Sequence, residues 1–178
     1  MKTKLCLLGL LALAAPMAMA QYFPPETKPF HITIGGHLYQ GDLQDPPFDI
    51  EAGFMGGIDY YMYPLGENTM SFLGVRGWFS SEGGTDAEAY GVHWGVRMNF
   101  GVQDTGTAGQ PGQFYARLAA GYYNNRVEGF DNEWGFGGFA AIGYDFGGQF
   151  SAEIGYEVAP ETNSIENHGW FGAIGVRI

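Results

Sequence analysis

Residues 92–100 read VHWGVRMNF, with Val92, Trp94, Val96, Met98 and Phe100 on one side and His93, Gly95, Arg97 and Asn99 on the other. Successive side chains of a β-strand point to opposite faces, so this period of two predicts a strand with one apolar and one polar face. The pattern recurs along residues 30–178, between stretches rich in Gly, Pro, Asp and Asn. Residues 30–39 set Phe30, Ile32, Ile34 and Leu38 against His31, Thr33, His37 and Tyr39, and residues 50–63 set Ile50, Ala52, Phe54, Ile58, Tyr60 and Met62 against Glu51, Gly53, Gly57, Asp59 and Tyr61. Residues 70–79 are less clean, with Leu73, Val75 and Phe79 against Phe72, Gly74 and Arg76.

After residue 100 the alternation resumes at 114–124, with Phe114, Ala116, Leu118 and Tyr122 opposite Tyr115, Arg117, Gly121 and Tyr123. Residues 134–146 oppose Trp134, Phe136, Ala140, Ile142, Tyr144 and Phe146 to Gly135, Gly137, Gly143 and Asp145. Residues 149–158 oppose Phe150, Ala152, Ile154, Tyr156 and Val158 to Ser151, Glu153, Gly155 and Glu157, and residues 169–178 oppose Trp170, Ile174, Val176 and Ile178 to Phe171, Ala173, Gly175 and Arg177. Eight segments of about ten residues suit strands that cross a bilayer at a tilt. The acidic connections QGDLQDPPFD, SSEGGTDAE, NRVEGFDNE and APETNSIENH alternate with PLGENT and a tight GG, as expected of an up-and-down barrel with long loops at one end and short turns at the other. The glycine-rich GVQDTGTAGQPGQ departs from that rule.

The polar face decides which way the strands turn. It carries many of the glycines, which weaken a strand with no benefit on a solvated surface but fit the crowded bore of an eight-stranded barrel. It also carries Arg76, Arg97, Arg117 and Arg177 with Glu51, Asp59, Asp145, Glu153 and Glu157. An arginine facing lipid at the bilayer midplane costs about 2–4 kcal/mol, so these residues belong inside. Unpaired buried charges are costly, and an arginine–carboxylate network filling the lumen is therefore expected. The apolar face, edged by Trp134, Phe146, Phe150, Trp170, Tyr144, Tyr60, Phe30 and Phe100, then faces lipid, its rings forming girdles at the interfaces.

Composition and charge agree with this picture. Residues 1–20 read as a signal peptide: Lys2 and Lys4, an apolar run over 5–15, and Ala18-Met19-Ala20 as the cleavage site. The single cysteine, Cys6, leaves with it, which excludes disulfides and thiol chemistry from the mature chain. The formal charge of −11 becomes more negative once Lys2 and Lys4 are removed, which excludes nucleic acid as a partner. Residues 21–29 read as an extended tether. The expected fold is all-β, an eight-stranded antiparallel up-and-down transmembrane β-barrel over residues 30–178.

The leader, the alternating strands, the inward Arg/Asp/Glu set and the last strand GWFGAIGVRI resemble the small eight-stranded outer-membrane proteins, the group of the OmpA transmembrane domain, OmpX and OmpW. The resemblance covers residues 30–178 and is architectural. It implies a bacterial outer-membrane location with periplasmic termini and extracellular acidic loops. It also implies contact with outer-membrane lipid and lipopolysaccharide, and delivery by the barrel insertion machinery reading Trp170, Ile174, Val176 and Ile178. Barrels of this group usually end in an aromatic residue, whereas this chain ends in Ile178.

Candidate chemistry is sparse. GFGGFA at 135–140 and DFG at 145–147 copy nucleotide-enzyme motifs without their strand–helix context. Ser164, Glu166 and His168 share one loop and are the residues a lipid A-modifying hydrolase or acyltransferase would use, though SIENHG lacks the His-x-Ser spacing of the deacylases. His31, His37 and His93 point inward, where lumen hydrogen bonds suit them better than metal binding. Asp42, Asp45, Asp49, Asp86, Glu88, Asp131 and Glu133 lack the spacing of an EF-hand loop. No metal site and no cofactor are expected. The residues thus point to a monomeric barrel with a structural or surface-interaction role, a plugged lumen and no large pore. A lipid A-modifying enzyme, a narrow porin or small-solute channel, and a soluble periplasmic lipid-binding barrel are the alternatives.

Overall fold

A computed structural model of the chain describes residues 29–82, 85–100, 112–146 and 149–178. The signal peptide with Ala18 and Ala20, the tether up to residue 28 and most of the glycine-rich connection lie outside the described residues. The described residues form eight strands: β1 (Phe30–Gln40), β2 (Ala52–Gly66), β3 (Thr69–Glu82), β4 (Thr85–Phe100), β5 (Gln113–Val127), β6 (Glu133–Phe146), β7 (Phe150–Val158) and β8 (His168–Arg177). Each pairs antiparallel with its neighbour in sequence, and β8 returns to β1, closing the barrel. Closure leaves no sheet edge, as a strand structure in lipid requires.

Alternation sorts the side chains as the sequence pattern predicts. On β5, Tyr115, Arg117 and Ala119 are buried inside while Phe114, Leu118 and Tyr122 stand outside, Leu118 with 59% of its surface exposed. Ile34, Phe54, Ile142 and Ile174 are similarly exposed, and Phe136 reaches 80%. A continuous apolar exterior of this size has the chemistry of a lipid-facing surface. No helix among the described residues is long and apolar enough to cross a membrane.

The exterior rings form two bands. Near the short-turn end Phe30 packs on Tyr60 (5.2 Å between centroids), and Tyr144 packs on Phe114 (4.8 Å) and Phe146 (5.0 Å). Toward the other end Trp134 lies between Tyr90 (6.0 Å) and Tyr122 (5.7 Å), and Tyr156 packs on Trp170 (5.2 Å). Tyrosine and tryptophan suit such bands because one end of the ring is apolar and the other hydrogen-bonds.

Three expectations need correction. SSEGGTDAE is not a nine-residue loop: Ser80 to Glu82 pair with Thr85 to Ala87, so β3 and β4 run almost to the hairpin tip. At about 3.3 Å per residue and a tilt near 40°, a 16-residue strand stands about 40 Å tall, well above an apolar band of about 25 Å. Likewise NRVEGFDNE shortens to residues 128–132, because β5 extends to Val127 and β6 begins at Glu133. Ile50 is fully buried instead of lipid-facing, because it folds under the first loop with its N–H donating to Leu43 O (2.8 Å).

Candidate functional site: the lumen and its cap

Register dictates the electrostatic problem inside the barrel. Arg97 and Arg117 are direct partners across β4 and β5, a like-charge pairing that a sheet disfavours. The two guanidiniums diverge to different carboxylates. Arg97 Nη2 pairs with Asp145, its Nη1 donates to the Tyr61 hydroxyl (3.2 Å) and its Nε donates to Asn99 Oδ1 (2.8 Å). Arg117 Nη2 pairs with Asp59, and its Nη1 donates to Glu153 Oε2 (3.0 Å). Arg76 lies 3.8 Å from Glu153 and forms a 2.8 Å ion pair with Glu157 that is not a linear hydrogen bond.

These pairs cross the bore. Arg76 on β3 faces β7, four strands away on the opposite wall, and Arg117 on β5 reaches back to β2. The three guanidiniums also lie over rings: Arg76 over Phe171 (4.0 Å), Arg97 over Tyr115 (3.8 Å) and Arg117 over Phe72 (4.6 Å). Planar, weakly hydrated cations tolerate such burial better than lysine would. The histidines join the same network. His93 donates from Nε2 to Asp59 Oδ1 (2.7 Å) and accepts at Nδ1 from the Tyr123 hydroxyl (3.2 Å). His31 hydrogen-bonds Ser151 (2.9 Å), and His37 stacks on Trp78, 3.5 Å from Glu157.

Glycine makes these contacts reachable. Asp59 pairs with Gly74 and Gly74 with His93, so the Asp59–His93 hydrogen bond passes over the β3 backbone. A Cβ at Gly74 would sit 2.7 Å from Ile58 O and 2.8 Å from His93 Nε2. Gly74→Val is therefore expected to part Asp59 from His93 and to destabilise the barrel by about 1–3 kcal/mol. Denaturant titration of the refolded protein, read against the outward control Val75→Ala, measures this.

The lumen places the sequence-predicted residues unequally. Arg76, Arg97, Arg117, Asp59, Asp145, Glu153 and Glu157 are all buried together. Arg177 sits near the short-turn end, its guanidinium 5.0 Å from the Tyr61 ring. Glu51 does not belong to the set: it precedes β2 and is exposed, because burial of Ile50 reverses the alternation at that point. Among the described residues no group of His, Cys, Asp and Glu has metal-binding geometry.

Above the ion pairs lies a cap for which the strand pattern gives no signal. Trp78 Nε1 donates to Asn167 Oδ1 (3.0 Å), Asn167 Nδ2 to Asn125 Oδ1 (2.7 Å) and Asn125 Nδ2 to Pro160 O (2.7 Å). Thr162 and Ile165 exchange backbone hydrogen bonds around Asn163 and Ser164, both at positive φ (49° and 67°), the turn that best matches strand twist. This small turn buries Thr162 and Ile165, while the first loop buries Leu43 and Ile50 in the same cluster as Tyr39, Trp78, Tyr123 and Val127. The available signal was the presence of Leu43, Val127 and Ile165 within otherwise acidic connections.

The Ser164–Glu166–His168 grouping does not form a nucleophile pair. Both ring nitrogens of His168 are engaged, Nε2 with Glu166 (2.8 Å) and Nδ1 with the Tyr156 hydroxyl. In a Ser–His arrangement the serine needs a free ring nitrogen as its base.

Among solved structures, the chain is similar to a Neisserial surface protein, NspA, at 14% identity over 84% of this chain and 97% of that one, with a TM-score of 0.57. It is also similar to Ail, the attachment invasion locus protein of Yersinia pestis, in its complex with the heparin analogue sucrose octasulfate, at 13% identity over 85% and 99% of the two chains, with a TM-score of 0.53. No family model and no curated protein sequence matches the chain. At these identities the likeness is one of fold: the chain has the closed eight-stranded architecture of small outer-membrane barrels.

Proposed function

We propose that this protein is a bacterial outer-membrane barrel whose bore is plugged by its own arginine–carboxylate network, and that its role is structural or in surface interaction. The observation that carries the reading is the inverted distribution of polarity. Arg97 and Arg117 are at most 2% exposed inside while Ile34, Ile142 and Ile174 are more than 60% exposed outside. Lipid is the solvent that makes such a distribution favourable.

On this reading the short-turn end and both termini are periplasmic, and the capped, acidic end is extracellular. The girdle rings contact outer-membrane lipid and lipopolysaccharide. The insertion machinery reads β8 through Trp170, Ile174 and Val176 with Ile178. The chain's own side chains fill the bore: Arg76, Arg97 and Arg117 meet Asp59, Asp145, Glu153 and Glu157, and the first and last loops fold over the mouth. The sulfated sugar bound by Ail does not suit this chain, because Asp42, Asp45, Asp49, Asp131 and Glu133 crown the capped end and repel a polyanion.

Planar-bilayer recording tests the plug. The refolded protein is expected to show no sustained openings, because the cross-bore pairs occupy the only route through an eight-stranded bore. Stable, large conductance steps overturn the closed reading and favour a channel. Failure of the chain to insert into vesicles, or the absence of a heat-dependent shift in gel mobility, overturns the membrane reading itself.

A further inference from the structure

The crown carries an apolar spot for which the plugged bore has no use. Phe48, on the loop between β1 and β2, and Phe130, on the loop between β5 and β6, spring from opposite walls, yet their ring centroids are 6.0 Å apart. Phe48 packs down against the capped cluster, whereas Phe130 leaves 41% of its surface in solvent. The turn below it is built to hold it up: Gly129 adopts φ 87°, and Phe130 N–H donates to Val127 O (3.1 Å). The tip of this turn is Glu128-Gly129 and Phe130 closes it at the fourth position, where turns favour small polar residues, so the aromatic ring is not explained by the turn. Pro46 and Pro47, also exposed, precede Phe48 and extend the apolar chemistry of that loop.

The surroundings have one sign. Asp45 and Asp49 flank Phe48 in sequence, and Asp131 follows Phe130; all three are exposed. Arg126, the cation nearest to this loop in sequence, is already paired with Glu88 (3.2 Å). The loops are fixed to one another, Glu128 N–H donating to Asp86 O (2.8 Å), Asn163 N–H to Glu133 Oε1 (3.3 Å) and Glu166 N–H to Asp42 Oδ2 (3.1 Å). A surface held in this way loses little conformational freedom when a partner docks.

Resting on the outward placement of this crown proposed above, we infer that the Phe48–Phe130 spot docks a basic polypeptide. An aromatic or aliphatic side chain of the partner lies on Phe130, and lysines or arginines around it meet Asp45, Asp49 and Asp131. An apolar centre within a charged rim is the ordinary anatomy of a protein interface, with the buried ring carrying the affinity and the rim setting the sign of the partner.

The test uses the full chain inserted in phosphatidylcholine nanodiscs, whose uncharged surface adds no attraction of its own. Three fluorescent peptides serve as probes: one rich in lysine and arginine with a central tryptophan, the same peptide with serine for tryptophan, and one with glutamate for every basic residue. The tryptophan peptide is expected to bind about tenfold more tightly than the serine peptide, and Phe130→Ser to remove that advantage while leaving gel mobility unchanged. Binding of the tryptophan peptide weakens with added salt, and the acidic peptide does not bind. Equal binding of the two basic peptides, or no effect of Phe130→Ser, overturns the inference and leaves simple charge attraction. No binding to a properly inserted barrel overturns it too, and leaves the membrane reading intact. A chain that never inserts overturns both.

Discussion

Replacing Arg117 by leucine is expected to cost about 3–5 kcal/mol of barrel stability, the range for stripping one partner from a buried ion pair. Arg117 is the hub of the bore, holding Asp59 from β2 and Glu153 from β7 at once. Its loss leaves two carboxylates in a space walled by Phe72 and Phe139, both within 5.0 Å of the guanidinium. Urea titration of the protein refolded in phospholipid vesicles, followed by tryptophan fluorescence and by the heat-dependent gel shift, measures the loss. Adding Glu153→Leu to Arg117→Leu is expected to recover part of it, since one stranded charge is then removed. Arg126→Leu is the internal control: its pair with Glu88 is solvent-exposed, and its removal is expected to cost less than about 1 kcal/mol. Equal effects of Arg117→Leu and Arg126→Leu contradict a bore held by buried pairs.

The second large effect belongs to the next residue along the strand. Leu118→Arg is expected to destabilise the inserted barrel by about 2–4 kcal/mol, the cost of an arginine at the lipid-facing midplane. Leu118 faces outward near the centre of β5, between Val96 and Ala140 in the neighbouring strands. On a water-soluble barrel the same change is nearly silent, because an exposed leucine is simply replaced by an exposed cation. Leu118→Ala separates charge from lost side-chain volume and is expected to cost much less than the arginine. Adjacent residues thus carry opposite requirements, arginine inside at 117 and leucine outside at 118. Harm from changing each to the other's type is a signature of an inverted barrel that neither substitution gives alone.

Much of this was legible in the alternation. Val92, Trp94, Met98 and Phe100 are the outward residues and His93 and Arg97 the inward ones, as their spacing indicates, because a strand's two faces are fixed by covalent geometry. The glycines on the inward face were readable as well, since a narrow bore leaves no other use for them. The strand ends were harder to read. Ser80, Asp86 and Glu88 look like loop residues by composition, yet the ladder of β3 and β4 runs through them because paired backbone continues above the bilayer into water. Glu51 was misplaced for a related reason: two-residue periodicity carries no information once the chain leaves the sheet, and Ile50 turned under to bury itself instead.

The sequence by itself determined which side chains share a face and, through the charges on one face and the bulk on the other, that the faces are inverted relative to a soluble protein. Those properties are local, set by the pleat and by the solvent each side chain can tolerate. Only the tertiary structure decided the pairing: that Arg97 goes to Asp145 and Arg117 to Asp59 and Glu153, and that Arg76 reaches Glu157 from the opposite wall. Partners across a bore are fixed by closure and by the stagger of eight registers, neither of which is written in any one strand. The cap has the same origin. Leu43, Ile50, Thr162 and Ile165 are buried because four strand ends bring distant loops to one mouth, where their apolar groups find each other before they find water.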